Sequence, residues 1–427
     1  MTGTALLTDH YELTMLRAAL ADGSGDRPCV FEVFARHLPP GRRYGVVAGT
    51  GRLLDAVEAF RFGDDEIEHL LAAGVVDAAT AAWLSSYEFS GDMDGHAEGE
   101  TWFPQTPVLT VRGSFAECVL LETLVLSVLN HDCAVAAAAA RMVVAAAGRP
   151  CVEMGGRRTH EWAAVAAARA AYVAGFAATS NLEAGRRHGI PTSGTSAHAF
   201  TLLHDDERSA FAAQVAALGP ATTLLVDTYD VAAGVRTAIE VAGTGLGAVR
   251  LDSGDLAELA VEVRAQLDGL GARSTRIVVT SDLDEQSIAA LQSAPVDAYG
   301  VGTAVVTGSG APTAGFVYKS VEVAGRPVAK ASAGKSSRGG ATTPLRRSDA
   351  AGTVTADVLR PAGRHEPALR ERPLHVPLLR AGRRAADDTL AEARARCAAS
   401  RSALPREALL LSRGEPGVAT VLEGWPA

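Results

Sequence analysis

Four short apolar stretches follow one another between Leu224 and Thr303, and each closes on a polar cluster: LLVDTYD, VRLDSGD, IVVTSD and AYGVGT. Between them lie segments of helical spacing such as VAAGVRTAIEVA and LAELAVEVRAQLDGL. This alternation predicts repeated strand, loop and helix units, and therefore a parallel sheet. In such sheets, above all in α/β barrels, the groups that touch ligands lie at the carboxyl ends of the strands. Asp227, Asp230, Arg250, Asp252, Asp255, Ser281 and Thr303 fall there, a set suited to a polyanion or a sugar phosphate.

The pattern differs on either side. CVFEVFARHLPPGRRYGVVA alternates apolar and polar positions around a Pro-Pro-Gly turn and predicts two strands joined by a loop. A helix over about 51–60 follows, then a helical pair within 64–86. Further strands are expected in HAEGETWFPQTPVLTVRG, where Pro104 and Pro107 confine them to edges or turns. Two helices, 114–130 and 134–147, lead into the repeated units. Beyond Gly315, GFVYKSVEVAGRPVAKAS predicts a hairpin, SAGKSSRGGATTP a Gly/Ser-rich basic loop, and the remainder short strands near 353–359 and a helix over 388–400. The strand content at both ends predicts one discontinuous α+β domain, 1–113 with 315–427. Connecting helices at 114–150 and an α/β domain at 151–314 complete the expected division.

A chain of 427 residues with 48% hydrophobic content is long enough for two cores. A net charge of −9 argues against a nucleic-acid surface, which needs unopposed Lys and Arg. The five Cys are odd in number and form no CxxC pair, which suits buried reduced thiols in a cytosol. The start, MTGTALLTDHYEL, has no basic segment followed by an apolar core, so a cytoplasmic location is expected. The apolar stretches 118–130 and 134–147 are too short to span a membrane and are interrupted by Glu122 and Arg141.

Four constellations carry candidate chemistry. In YGVGT, Gly302 and Thr303 let backbone N–H groups and a hydroxyl approach a phosphate, although a tight turn needs the same glycine. In VRLDSGD, Arg250 offers a planar fork for a carboxylate or phosphate, and Asp252 and Asp255 suit ribose hydroxyls or Mg2+. One of Asp252, Ser253 and Asp255 is expected to cap the next helix. The stretch 153–200 sets Arg157 and Arg158 at a strand end and Thr195 to His198 just after IPT. An imidazole among small residues at such a place can act as acid, base or phosphoryl acceptor. His160 and His188 have no such setting and read as structural. Tyr11, in TDHYELTM, reads on helical spacing alone as a core aromatic.

Taken together the strings resemble the nicotinate phosphoribosyltransferase family. The matching segments are TDHYELTM, FEVFARHLPPGRRYGVVAG, EMGGRRTHEWAA, GFAATSNLEAGRRHGIPTSGTSAHAF, LLVDTYDVAAGV, VRLDSGDL, SDLDE, YGVGTAVVT and VYKSVE. They occur in order over roughly residues 4–335, and an ordered set is far more specific than any one member. The resemblance implies an α/β fold, an irregular TIM-like barrel on an α+β domain built from both ends of the chain, as in type II phosphoribosyltransferases. It implies an ATP-coupled enzyme of NAD salvage that joins nicotinate to phosphoribosyl pyrophosphate with Mg2+, and a homodimer with its sites at the interface. His198, in the GTxAH motif, would be the phosphohistidine. Tyr11, from the neighbouring subunit, Thr195, Arg250 and Ser180 would meet nicotinate. Arg157, Arg158, Asp252, Asp255, Gly302 and Thr303 would hold phosphoribosyl pyrophosphate, with Mg2+ near Asp252 and Asp255.

The chain departs from the family pattern at Met154, where an aromatic is common, and at His10, where Leu is common. It also lacks the zinc-type Cys clusters of some members. Ser180 stands where nicotinamide-using relatives carry Asp, which favours the acid substrate. A quinolinate enzyme would need more basic residues. The strand-end Asp and Gly-Thr groups alone would also allow a barrel aldolase or isomerase acting on another sugar phosphate, although the aldolase would need a strand-end Lys. A non-catalytic nucleotide sensor would bind ligand without phosphorylation of His198. The basic loop at 332–343, with Lys335 and Arg338, is a candidate cover for phosphates.

Overall fold

The computed structural model describes residues 3–330, 339–363 and 366–425. Residues 331–338 of the basic loop, Lys335 and Arg338 included, lie outside them. The chain forms two compact units, Met1–Ala137 with Ala311–Ala427, and Ala138–Gly310.

The second unit is built on a six-stranded parallel sheet. Its order is Ala178–Thr179, Cys151–Glu153, Ala298–Val301, Arg276–Val279, Ala248–Leu251, Thr223–Leu225. A parallel bridge from Thr192 to Thr179 extends one edge. Each strand therefore neighbours the next one in the chain, with Ala298–Val301 beside Cys151–Glu153. This is the order of a ring opened between Thr192 and Thr223, the α/β class expected. Leu224, Leu225, Val249, Leu251, Ile277, Val279, Tyr299 and Val301 are fully buried. Helices cover the strands, and a strand without a solvent face reads as a continuous apolar run, which is why these were visible.

The acids after the strands also set where helices begin. Asp230 caps Val231–Ala242 by accepting from Ala233 N at 2.8 Å. Asp255 caps Leu256–Gly269, accepting from Ala257 N and Glu258 N at 3.1 and 3.2 Å. Replacing Asp255 by alanine is expected to cost about 1 kcal/mol of stability, the usual worth of such a cap. Thermal unfolding of the variant checks this.

The first unit holds a seven-stranded sheet in the order Arg326–Pro327, Phe316–Val323, Pro28–Ala35, Leu109–Ser114, Asp92–His96, His375–Arg380, Arg383–Arg384. Strands from the two ends of the chain pair directly: Phe34 with Val317, and Gly95 with Val376. Phe31 stacks on Tyr318 at 4.8 Å between ring centroids within the core. The two strands around the Pro-Pro-Gly turn do not pair with each other. Gly45–Val46 instead pairs with Thr101–Trp102, because Gly45 leaves the space that the Trp102 indole fills; a Cβ there would meet it at 2.1 Å.

The two expected helices at 114–130 and 134–147 are replaced by a short one, Phe115–Val119, and an unbroken one, Glu122–Ala145. The polar residues at 130–133 do not end it. Asp132 has a fully buried side chain that accepts from Arg52 at 2.9 and 3.2 Å and lies 2.8 Å from His131 Nδ1. The boundary between units falls inside this helix, so 114–150 is not a separate connecting segment. The helix has the length and composition of a membrane span, yet 72% of its most apolar window is buried in the protein, as in a core helix.

Candidate active site

A cleft of about 180 Å³ opens at the carboxyl ends of the parallel strands. It is lined by Met154, Arg157, Arg158, Arg250, Asp252, Thr280, Ser281, Asp282, Gly300, Gly302 and Thr303. Six expected site residues, Arg157, Arg158, Arg250, Asp252, Gly302 and Thr303, thus meet in one place although they span three segments of sequence.

Glu153, with no exposed surface, anchors the turn that presents the two arginines. It accepts from Thr179 Oγ1 at 2.5 Å and from the amide of Gly155, and burial pushes its pKa up. Gly155 must lack a side chain, since a Cβ would lie 2.3 Å from Val306 Cγ1 and 2.8 Å from Gly302 O. The helix after YGVGT is a single turn, Thr303–Val306. Gly302 and Thr303 therefore offer local backbone and hydroxyl groups, with little macrodipole behind them.

Arg250, only 13% exposed, is held from three sides. Its Nε donates to Thr280 Oγ1 at 2.8 Å, Nη1 to Thr195 Oγ1 at 2.8 Å and to Ser196 O at 3.2 Å, and Nη2 to Asp252 Oδ1 at 2.7 Å. Burial works against the Asp252 carboxylate, but hydrogen bonds from Thr280 and Arg250, with the charges of Arg250 and His198, outweigh it and hold its pKa low. Asp252 is thus ionised when the cleft is empty.

His198 opens the helix His198–Leu202 with its imidazole 40% exposed. Nδ1 lies 3.2 Å from Thr228 Oγ1, and Nε2 lies 3.9 Å from both Asp227 Oδ1 and Asp252 Oδ2. Asp227, 1% exposed, accepts from Asp252 N at 2.8 Å and from Ser253 Oγ at 2.7 Å through Oδ2. Its Oδ1 is buried with no hydrogen-bond partner among the described residues. Glu207 stands nearby, its pKa pushed up to about 7 by burial and then by Asp227 and Asp230.

Two acid pairs at the same spacing divide their work. In Asp227/Asp230 and Asp252/Asp255 the first acid faces the site and the second caps the following helix. Asp255 does not line the cleft. Ser180 is exposed at the end of Ala178–Thr179, donating its N–H to Glu153 O at 2.8 Å, and is also outside the lining. Tyr11 belongs to the first unit, where its side chain is exposed and not a core aromatic. Partial burial, with Glu122, Glu12 and Asp9, pushes its pKa up, so the phenol stays neutral. Sequence reasoning missed Thr280, Asp282 and Glu207 as site residues. For Thr280 the only sequence signal was its place between an apolar strand and SDLDE.

Residues 6–130 match the family model of the nicotinate phosphoribosyltransferase N-terminal domain. Nicotinate phosphoribosyltransferase pncB1 of Mycobacterium tuberculosis is 62% identical over 425 residues, covering 97% of this chain and 94% of its own. The Bacillus subtilis nicotinate phosphoribosyltransferase is 37% identical over 328 residues, covering 75% of this chain and 67% of its own. The crystal structure of human nicotinic acid phosphoribosyltransferase aligns with a TM-score of 0.85 at 26% identity over 97% of both chains. With that identity along nearly its whole length, and its motifs gathered at one cleft, the chain belongs to the nicotinate phosphoribosyltransferase family.

Proposed function

We propose that this protein transfers the phosphoribosyl group of phosphoribosyl pyrophosphate to nicotinate in NAD salvage, coupled to ATP hydrolysis through phosphorylation of His198. The ring nitrogen of nicotinate forms the new bond to ribose C1, and the bond from C1 to the pyrophosphate oxygen breaks. One observation carries the reading: a nearly buried guanidinium, Arg250, stands in the same cleft as Arg157 and Arg158. The fixed positive charge of Arg250 and its one uncommitted N–H suit the nicotinate carboxylate, and two exposed arginines suit the departing pyrophosphate, whose charge grows in the transition state. Gly302 and Thr303 would hold the 5-phosphate, and Thr195 would line the base pocket. Ser180 and, from a neighbouring subunit of a homodimer, Tyr11 would complete that pocket. The cytoplasm is the expected compartment.

Asp252 suits Mg2+ in donor chemistry. Its Oδ1 is taken by Arg250 and Thr280, while Oδ2 has His198 Nε2 only at 3.9 Å. No group of three or more Asp, Glu, His or Cys side chains among the described residues would hold a metal by itself. A single carboxylate completed by substrate phosphates is the usual arrangement for this ion. Bound there, Mg2+ would neutralise charge on the pyrophosphate.

His198 has the surroundings of a phosphoryl acceptor: an exposed ring, Thr228 on Nδ1, and acids near Nε2. The test offers nicotinate, nicotinamide and quinolinate in parallel with phosphoribosyl pyrophosphate and Mg2+, with and without ATP, to the native protein and to His198→Ala. Nicotinate mononucleotide should form with matching ADP release, and the variant should lose the ATP effect entirely. Product from none of the three bases would sink the transferase reading. An ATP effect retained by the variant would sink the phosphohistidine role.

A further inference from the structure

Arg250 has five N–H donors, and four of them are committed inside the protein. Of the partners, Thr280 differs in kind. Its hydroxyl accepts from Arg250 Nε and donates a hydrogen bond to Asp252 Oδ1, so it joins the ion pair a second time beside the direct 2.7 Å contact. The side chain is itself immobilised. Thr280 is 3% exposed, its N–H donates to Leu251 O at 2.9 Å, and a Cβ at Gly300 would come within 2.6 Å of its methyl. Ser281, next in the chain, sits at φ 115°, a conformation that costs a non-glycine residue about 1–3 kcal/mol and persists only where its surroundings enforce it.

We infer that Thr280 is the positioning residue of the base site: by bridging Arg250 and Asp252 it fixes the plane in which the guanidinium meets a carboxylate, and so sets the preference for an anionic over a neutral pyridine. The inference rests on the transferase reading, in which Arg250 receives the nicotinate carboxylate. Its physical basis is that the one uncommitted N–H of Arg250 reaches a carboxylate in a charge-assisted hydrogen bond only if the guanidinium is correctly oriented. With valine at 280 the shape is kept, but Arg250 Nε and Asp252 each lose a partner and the guanidinium is held at Nη1 and Nη2 alone. Groups that orient a ligand-binding residue from behind are typically worth about 10–100-fold.

The experiment compares native protein, Thr280→Val and Thr280→Ser in steady-state kinetics with nicotinate and with nicotinamide, at saturating phosphoribosyl pyrophosphate, ATP and Mg2+. Thr280→Val should lose about 10–100-fold in kcat/KM for nicotinate, chiefly through KM, while nicotinamide turnover changes little and the preference ratio falls in proportion. Thr280→Ser should recover most of the loss. An equal loss on both bases, or unchanged nicotinate kinetics in Thr280→Val, overturns the inference while native turnover leaves the transferase reading standing. Failure of the native protein itself overturns both. If Thr280→Val does not fold, Thr280→Cys, of similar volume and weaker hydrogen bonding, takes its place with the same criteria.

Discussion

Arg250→Leu is expected to lower kcat/KM for nicotinate by about 10²–10³-fold, the range for removing one charged, hydrogen-bonded partner from a desolvated pair. Arg250→Lys should recover little of it, because a single ammonium cannot reproduce contacts made at Nε, Nη1 and Nη2 together. Nicotinamide, without a carboxylate, should be affected far less. An equal loss on both bases would make Arg250 a scaffold and not a reader of the substrate. The pH profile adds a second sign. Asp252 has a depressed pKa to which Arg250 contributes by hydrogen bond and charge, so its loss moves that pKa upward and keeps the acid protonated to higher pH. The acid limb of the variant's profile should accordingly shift to higher pH.

Arg346→Met is expected to be the most destabilising single change in the first unit, at about 3–5 kcal/mol. Arg346 is 1% exposed and serves two buried acids, Asp357 at 2.8 and 3.1 Å and Glu100 at 2.7 Å, as well as the Thr101 carbonyl. Without it Asp357 is left as an uncompensated buried charge, while Glu100 keeps Arg372 at 2.7 Å. Most of the loss should therefore return in the double variant Arg346→Met, Asp357→Leu, which removes the stranded charge as well. Urea midpoints for the three proteins measure this; a loss under about 1 kcal/mol for the single change would show that water or a rearranged partner solvates Asp357. Burial opposes the Glu100 carboxylate, yet Arg346 and Arg372 outweigh it and lower its pKa. Its stabilisation is therefore present above the ordinary glutamate range and is lost as the pH falls through the depressed value.

The parallel sheet was legible because its strands are apolar runs that stop abruptly at polar clusters, as at Leu251 to Asp252 and Val301 to Gly302. Arg250, Asp252 and His198 could be singled out for the same reason. What the pattern could not separate was the pair of acids in each cluster, since facing a ligand and capping a helix both ask for Asp. Asp227 and Asp255 part ways only through partners that the fold supplies. Thr280 was missed because its hydroxyl acquires meaning from residues 28 and 30 positions earlier. The continuous helix Glu122–Ala145 was misjudged for a related reason. Asp132 reads as a break until Arg52, far away in sequence, neutralises it. Hydrophobic periodicity reports what a residue does along its own element, and these residues act across elements.

The discontinuity of the first unit bears on the order in which the protein is made. Its strand Pro28–Ala35 waits for Phe316–Val323, and Asp92–His96 waits for His375–Arg380. Residues 138–310 leave the ribosome in one piece before either partner strand exists. Both strands can pair early with Leu109–Ser114, but chains emerge at about 5–20 residues per second, so the other edge of each stays open for at least ten seconds or so. For that interval an apolar edge containing Phe31, Val33 and Phe34 is open to other chains, and a nascent-chain chaperone has most to protect at the start of this protein and not at its catalytic sheet.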